Sequence, residues 1–396
     1  MASIPDILGI DAVFLLFLWR EAFIRSLPAV LKTTIYKQMT KTLTTLLFLI
    51  TLTNVQAQTT KYFADSIRKV YKIPELNYAV ISSENILEIQ ALGTKKTNSN
   101  SKAELTDKFR IGSNTKTVTS YIASVLVKEG KIKWNTKFFD LYPELKTKSN
   151  PEYYNITLQD FLTFRANIIR WTYTDSTPTK NEIKGNQRQQ RYKFVSWILQ
   201  QKPDKEKSNI LYWSNPGYVA AGLMIEKVTG KDYETLVAEL GQKLNIKFGF
   251  GQPNFKDKNQ TWGHNDKLIP EKPADNFKLN WLSSAGNLNV NLPDYTKFIQ
   301  LQLQGLLGLS KVLTAEEFNF MHYGLPEFSF GWEWFIDENS KLKYSFHEGN
   351  PGTFLSKVYI CKDTNKAFIL FANVQSEDAE KGLKVLFDEL NKRYRR

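Results

Sequence analysis

The amino-acid sequence predicts an α+β protein, with an antiparallel sheet flanked by helices and a separate all-helical subdomain. Strand-like runs lie near both ends of the chain, and such strands can share one sheet with helices packed on its faces. The segment between these runs is helical and loop-like. The length of 396 residues suits a domain with a large insertion. We therefore assign residues 58–145 and 281–396 to an α/β part and residues 146–280 to a helical insertion.

The N-terminal part of this domain predicts a helix, a hairpin and a second helix. Residues 60–71 have helical spacing, and residues 77–82 and 86–93 have strand composition on either side of a polar turn. Residues 117–130 predict a helix because apolar residues recur at helical spacing and a glycine ends the pattern.

The middle of the chain predicts short helices separated by loops, and the C-terminal part returns to strands. Helices are expected at 157–164, 193–201, 216–229 and 232–244, with irregular segments at 167–191 and 249–273. A helix, four consecutive strands and a closing helix are expected at 292–305, 327–336, 342–346, 353–361, 367–373 and 378–394.

The first 57 residues form a leader whose second half has the three-part plan of a secretory signal. Residues 39–57 contain a basic start, the apolar run 43–52, and small residues before a cleavage point after Ala57. The apolar run is too short to span a bilayer, which takes about 20 residues. We therefore expect a periplasmic or secreted protein with no stable membrane span after cleavage. Residues 1–38 are either an over-extended translation start or a real extension with an amphipathic helix.

The composition argues against nucleic-acid binding and against a zinc site. The formal charge is +13, but the basic residues are scattered, whereas a nucleic-acid footprint is a clustered patch. One cysteine excludes an internal disulfide, and with only three histidines a Cys/His zinc site is disfavoured. We expect a monomer with no cofactor and no metal, which acts on a small molecule or a peptide.

Ser113 and Lys116 are the first candidates for chemistry. Ser113 follows a short apolar run and lies one turn before Lys116, at the start of a predicted helix. Residues at i and i+3 share a helix face, so the hydroxyl and the amine can face one cleft. A lysine can take the serine proton when burial lowers its pKa. The Ser-x-x-Lys pattern also occurs elsewhere in the chain, so alone it is a weak signal, and the simpler alternative is a helix-capping serine beside a solvated lysine.

Two further stretches place polar side chains beside predicted elements. Asn215 lies where a loop rich in aromatic residues enters a helix, and its amide can both donate and accept, although asparagine also favours a helix N-cap. His347 lies between two predicted strands and precedes Gly349, which lets a ligand approach the backbone. The alternative for this second stretch is a hairpin turn with an incidental histidine.

Together the three stretches resemble the serine β-lactamase and penicillin-binding superfamily, in its class C-like hydrolase and esterase branch. The family order is Ser-x-x-Lys, then Tyr-x-Asn, then Lys-Thr-Gly or His-x-Gly. Here that order is represented by Ser113 with Lys116, by residues 213–215 and by residues 347–349. The resemblance spans about residues 60–396 and implies a β-lactamase/transpeptidase-like fold with the active site between the sheet part and the helical subdomain.

The resemblance also implies a role for each matched residue. Ser113 would be the nucleophile and Lys116 its proton partner. Asn215 would orient Lys116 and the substrate, and His347 would take the place of the family's lysine. Backbone N–H groups of Ser113 and Asn350 would form the oxyanion hole.

The sequence departs from the family pattern in two places. The family's tyrosine, which shares the acid/base work, falls at Trp213, which would line the substrate site but whose indole N–H can only donate. Tyr212 is adjacent and needs a local shift to reach the site, because neighbouring side chains usually point apart. Residues 163–167 stand where many relatives carry a Thr-His-Thr-Ser-Gly-like run. General acid/base help is worth about 10²–10⁴ in rate, so reduced activity is expected.

The sequence therefore favours an exported serine hydrolase that cleaves an amide or ester bond through an acyl-enzyme on Ser113. The substrate classes are a β-lactam, a D-amino-acid peptide or a small ester, and the basic charge and His347 favour an anionic one. The alternative is a catalytically weak or inactive binding protein on the same fold, because of Trp213. A third interpretation is a membrane-associated non-enzyme anchored by residues 1–57. An α/β-hydrolase is disfavoured because no Gly-x-Ser-x-Gly occurs.

Overall fold

The structure is a computed structural model that describes residues 60–203, 211–274 and 276–395. The chain divides into two compact units, Met1–Tyr62 and Phe63–Arg396. The predicted leader lies outside the described residues. Among the residues that are described, no helix is both long enough and apolar enough to cross a bilayer. The elements of the fold belong to the second unit.

A six-stranded antiparallel sheet lies at the centre of this unit, in the strand order β2-β1-β9-β8-β7-β6. Its strands are β1 (Glu75–Ile81), β2 (Ile86–Gly93), β6 (Glu333–Ile336), β7 (Lys343–Gly349), β8 (Leu355–Cys361) and β9 (Lys366–Ala372). β1 pairs with β9 in a register that places Leu76 opposite Ala372. The N-terminal hairpin and the C-terminal strands therefore share one sheet, which confirms the predicted fold class.

Helices cover both faces of the sheet and form a lobe beside it. They are α1 (63–70), α2 (Thr115–Lys128), α3 (Phe138–Leu141), α4 (Pro143–Lys146), α5 (Leu158–Leu162), α6 (Gln187–Gln200), α7 (Asn215–Thr229), α8 (Tyr233–Leu244), α9 (Phe277–Trp281), α10 (Ser283–Gly286), α11 (Leu292–Leu306), α12 (Ala315–Tyr323) and α13 (Glu377–Tyr394). α11 packs on β1 and β9, and α13 packs on β8 and β9. In the lobe, α7 contacts α5, α6 and α8, and it also contacts α2, which carries the chain away from Ser113.

Alternation along the strands divides the buried side chains between two cores. Leu76 and Tyr78 of β1 belong to the core beneath α13, whereas Ala79 and Ile81 belong to the larger core shared with α11 and the helical lobe. Successive side chains of a strand point to opposite faces, so a strand covered on both sides buries the side chains of both faces. This explains why every residue of β1 is buried.

A second, three-stranded sheet was not expected from the sequence pattern. It has the order β3-β5-β4 and consists of β3 (Lys108–Arg110), β4 (Gly249–Phe250) and β5 (Leu288–Asn291). Strands of two to four residues are too short to display a period-2 alternation. This small sheet matters for function because β3 leads directly into the turn that holds Ser113.

Two elements begin six residues away from their predicted starts, for local reasons. α6 begins at Gln187 and not at residue 193, because Asn186 and Gln189 form a capping box across its first turn. β6 begins at Glu333 and not at residue 327, because Ser329 N–H donates to Trp332 O in a turn where Gly331 has φ of 81°. The later start of β6 places Glu333 at the beginning of an edge strand.

A buried ion cluster ties together three helices of the lobe, and its loss is expected to destabilise the fold. Arg191 of α6 is bonded to Glu226 of α7 and lies 2.8 Å from Glu234 of α8, and the first two side chains are 1% and 0% exposed. Removing one partner leaves a buried charge without compensation, at a cost of about 3–5 kcal/mol. We therefore expect Arg191→Met to lower the free energy of unfolding by about that amount in urea titrations. Lys384→Met, which breaks an exposed pair with Asp388, should change it by under about 1 kcal/mol; equal effects of the two variants would contradict the assignment.

Candidate active site

Ser113 lies in the tight turn Gly112–Asn114 between β3 and α2. Gly112 has φ of +48°, and a Cβ there would lie only 2.9 Å from the backbone nitrogen of Asn350. A Cβ at Gly349 would in turn collide with the carbonyl oxygen of Ile111. Glycine at both positions therefore lets the end of β7 press against the turn. This contact brings the stretch around His347 and Gly349 against the turn that holds Ser113.

The amine of Lys116 is the centre of the site. Its Nζ lies 2.8 Å from Ser113 Oγ, 2.8 Å from Asn215 Oδ1 and 2.8 Å from the carbonyl oxygen of Ala285. The side chain is buried, and burial lowers the pKa of Lys116 to about 7. The amine is therefore substantially neutral at physiological pH.

The three contacts fix how a neutral Lys116 amine is oriented. The oxygen of Ala285 can only accept. Asn215 Nδ2 donates to Trp171 O at 3.3 Å, so the atom that faces Lys116 is the amide oxygen, which also only accepts. A neutral amine has two N–H groups and one lone pair. Two acceptors take the two hydrogens, so the lone pair faces the hydroxyl of Ser113.

Asn215 does not act as a helix cap. It is the first residue of α7, the cap position belongs to Ser214, and Ser214 Oγ donates at 3.0 Å to the carbonyl oxygen of Ile169. The amide of Asn215 is thus available to hold Lys116. The helix-cap alternative that the sequence left open is not the role that the structure gives this residue.

His347 lies on β7 as a buried, neutral imidazole. Neither ring nitrogen has a hydrogen-bond partner among the described residues, and Nδ1 lies 3.9 Å from Glu333 Oε1. Burial and the nearby Lys116 amine lower the pKa of His347 to about 3. The position that the resemblance equates with a lysine therefore carries no positive charge at neutral pH.

These groups open into one cavity of about 420 Å³. It is lined by Ser113, Lys116, Phe164, Arg170, Trp171, Thr172, Trp213, Ser214, Asn215, Glu333, His347, Glu348 and Asn350. The lining residues come from the Ser113 turn, the N-terminus of α7, β6 and β7, so the cavity lies between the sheet and the helical lobe. Such a volume suits a small ligand or a short peptide segment. Within the described part of the chain, no three carboxylate, imidazole or thiol side chains are grouped so that they could hold a metal ion.

A family model for β-lactamase matches residues 63–390 of this chain. The chain belongs to the β-lactamase family. Its family and its fold support a serine hydrolase-type function.

Relatives in sequence and in structure are distant. The chain is 24% identical over 332 residues to protein flp of Staphylococcus aureus, which covers 81% of this chain and 64% of that relative. The chain thus spans less than two thirds of the length of this relative. A class C β-lactamase from Rhodobacter sphaeroides superposes with a TM-score of 0.66 at 14% identity, over 84% of this chain and 99% of that one.

A solved structure of an octameric penicillin-binding protein homologue from Pyrococcus abyssi also has this fold. Its TM-score is 0.63 at 16% identity, and the match covers 80% of this chain and 73% of that chain. Because a protein of the same fold is octameric, the monomer expected for this β-lactamase-family chain stays a prediction.

An aromatic wall replaces the tyrosine of the family pattern. The ring of Trp213 lies 4.8 Å from that of Phe164 and 5.1 Å from that of Phe328, and Trp213 is 40% exposed. Phe164 reaches this wall with φ of 57°, in the run 163–167 that departs from the family pattern. Arg165 fixes that run by donating to Phe328 O at 3.0 Å. The departures at Trp213 and Phe164 therefore belong to one packed surface.

Two residues assigned from the sequence do not line the cavity. Tyr212 is buried, its backbone N–H donates to Phe164 O at 2.8 Å, and its ring lies beneath the Arg170 guanidinium at 4.7 Å. No local shift of the backbone brings this phenol to the site, because neighbouring side chains point apart as expected. Gly349 acts through the close contact with the Ser113 turn, while Asn350 does line the cavity.

Glu333 is a cavity residue that sequence reasoning missed. It is opposite Phe346 in the β6–β7 register and lies beside His347. The available signal was a single carboxylate within the otherwise largely apolar run 328–336. A lone carboxylate in an expected strand suggests that its side chain faces a binding site. Without the register of β6 against β7, the sequence could not show which site that is.

The buried amine of Lys116 is expected to make stability depend on pH. Its pKa in the folded state, about 7, lies below the ordinary value of 10.5, so the unfolded chain binds the proton first as the pH falls. The penalty therefore grows from about pH 10 to pH 7 and is complete below pH 7, on the order of 5 kcal/mol at most. Urea unfolding of the wild type and Lys116→Met should be measured at several pH values. As the pH falls from about 10 to 7, the free energy of unfolding of the wild type should decrease relative to that of the variant. A difference that stays constant with pH would show that the amine is not desolvated.

Proposed function

We propose that this protein is an exported serine hydrolase that cleaves an amide or ester bond through an acyl-enzyme on Ser113. The observation that carries the proposal is the buried Lys116 amine, whose Nζ lies 2.8 Å from Ser113 Oγ and whose pKa burial lowers to about 7. A serine with an adjacent base, held in place by a third group, is the arrangement that nucleophilic catalysis requires. Asn215 and Ala285 O supply that third element.

The reaction follows from these positions. Ser113 Oγ attacks the substrate carbonyl as its proton passes to Lys116 Nζ, and the carbonyl oxygen becomes an oxyanion. Backbone N–H groups of Ser113 and Asn350 stabilise that charge, and one such donor is typically worth about 10²–10³ in rate. The intermediate collapses, the leaving group takes the proton from Lys116, and an ester on Ser113 remains. Water then attacks this ester as one of its protons passes to Lys116, the bond to Ser113 Oγ breaks, Ser113 takes that proton from Lys116, and the acid is released.

The cavity volume of about 420 Å³ is compatible with the substrate classes named from the sequence, which are β-lactams, D-amino-acid peptides and small esters. The export part of the proposal rests on the signal-like pattern of residues 39–57. N-terminal sequencing of the natural mature protein tests it, with Gln58 as the expected first residue.

Removal of the Ser113 hydroxyl is expected to abolish covalent chemistry. Ser113→Ala should lose labelling by a fluorescent fluorophosphonate and at least about 10³-fold in the rate of p-nitrophenyl ester hydrolysis, because Ser113 is the hydroxyl that lies 2.8 Å from the Lys116 amine. Mapping the labelled peptide by mass spectrometry identifies the modified residue.

The matched control for this experiment is Ser66→Ala. Ser66 and Lys69 repeat the Ser-x-x-Lys spacing on an exposed part of α1. Ser66→Ala should label and turn over like the wild type. Equal labelling of Ser113→Ala and the wild type would refute Ser113 as the nucleophile.

A second candidate function is binding with little turnover, and Trp213 is the observation that favours it. An indole N–H cannot accept a proton, so deacylation lacks the help that a phenol would give. We expect Trp213→Tyr to speed deacylation by about 10-fold or more, within the range of general acid/base catalysis. The measurement is the decay of the labelled acyl-enzyme formed with a fluorescent penicillin.

Trp213→Phe separates the hydroxyl from the change in ring size. It keeps an aromatic ring against Phe164 and Phe328 but adds no proton-transfer group. If Trp213→Phe deacylates as fast as Trp213→Tyr, the phenol is not responsible and the loss of the indole is.

A further inference from the structure

Glu333 presents a carboxyl group to the cavity without a basic partner. It lies at the start of edge strand β6, its side chain is 29% exposed, and it lines the same cavity as Ser113. Among the described residues, no lysine or arginine nitrogen lies within ion-pair distance of it, and the nearest ionisable nitrogen is His347 Nδ1 at 3.9 Å. Because His347 is neutral, it does not compensate a negative charge on Glu333.

Glu348 is the second acidic residue of this wall, and unlike Glu333 it has a basic partner. Glu348 Oε2 accepts a hydrogen bond from Lys357 Nζ at 2.9 Å, so its charge is already paired. Burial, together with the charge of Glu348, raises the pKa of Glu333 to about 7. Such a raised pKa is what an acid shows when its charged form lacks a partner, and a cation placed beside it would restore the ionised form.

Among the described residues that line the cavity, neither of the two basic ones forms an ion pair with Glu333. Lys116 is close to neutral and engaged with Ser113, Asn215 and Ala285. The cation of the lining is Arg170, an exposed residue whose guanidinium is stacked on the ring of Tyr212. A carboxylate-bearing substrate would thus find no charged partner on the His347–Glu333 wall and would be repelled by the Glu333 carboxylate.

We infer that Glu333 selects substrates that carry a protonated amino group close to the bond that is cleaved, and that it disfavours substrates with a carboxylate at that position. The inference rests on the proposed function, because it names the substrate class of the Ser113 site. It is opposite to the anionic substrate that the overall basic charge suggests.

The test compares three p-nitroanilides that differ in charge at one position. D- and L-alanine p-nitroanilide have a free amine, the N-acetyl derivatives are neutral, and the N-succinyl derivatives carry a carboxylate. At pH 7 we expect the wild type to prefer the free amine to the N-succinyl form in kcat/KM by about 10- to 100-fold, the usual effect of a charge-assisted hydrogen bond. Glu333→Gln should lose most of that preference, so that the ratio of kcat/KM for the free amine to kcat/KM for the N-succinyl form falls towards unity.

Glu338→Gln is the matched control. It removes the same charge from an exposed position in the turn after β6, outside the cavity lining, and should keep the wild-type preference. His347→Lys gives a gain-of-function arm: a cation placed beside Glu333 should reduce the preference for the amine and improve turnover of the N-succinyl substrate relative to the N-acetyl one.

Inhibition of fluorophosphonate labelling gives the same comparison without turnover, with alaninamide and N-succinyl-alaninamide as competitors. If Ser113 is labelled but the wild type ignores the amine, or Glu333→Gln keeps the preference, the inference about Glu333 is wrong and the hydrolase proposal stands. If Ser113 is not labelled by any reagent, the proposed function fails, and the inference fails with it.

Discussion

The removal of the Lys116 amine from water is the constraint on which the site depends. A lysine keeps its proton at neutral pH in water, and only burial makes it a base there. Three separate elements produce that burial, because α2 carries the lysine, α7 supplies Asn215, and α10 supplies the carbonyl of Ala285. In the proposed reaction, the packing of the helical lobe against α2 is therefore also what activates Ser113.

Close backbone contacts at glycines connect this centre to the sheet. Gly112 and Gly349 let the Ser113 turn and the end of β7 meet without side chains between them. Ser356 of β8 donates at 2.9 Å to Ile111 O and holds the turn from the other side. Because the first and last thirds of the chain share one sheet, the placement of His347 relative to Ser113 follows from strand register and not from any local signal.

The Ser113, Lys116 and Asn215 cluster could be predicted from the sequence through the resemblance to the β-lactamase family, because helix patterns place each residue along the chain but do not bring the three together. α7 and α11 begin within one residue of their expected positions, since long amphipathic segments carry a clear 3.6-residue period. Glu333 and the aromatic wall of Phe164, Trp213 and Phe328 could not be predicted. The position of Glu333 depends on the register of β6 against β7, and the aromatic wall depends on the positive φ of Phe164 in a loop. Neither feature produces a periodic pattern in the sequence.

The charge of the whole chain and the charge of the cavity describe different properties. A formal charge of +13 sets the field at a distance, but salt screens exposed charges over about 8–10 Å. The cavity lining contains neutral His347, Glu333, the already paired Glu348 and the exposed Arg170. The replacement of a cationic lysine by an imidazole that burial keeps neutral therefore does more than lose a positive charge. It leaves the neighbouring Glu333 carboxyl without a basic partner on that wall, and this is the feature on which the inferred preference for an amine-bearing substrate rests.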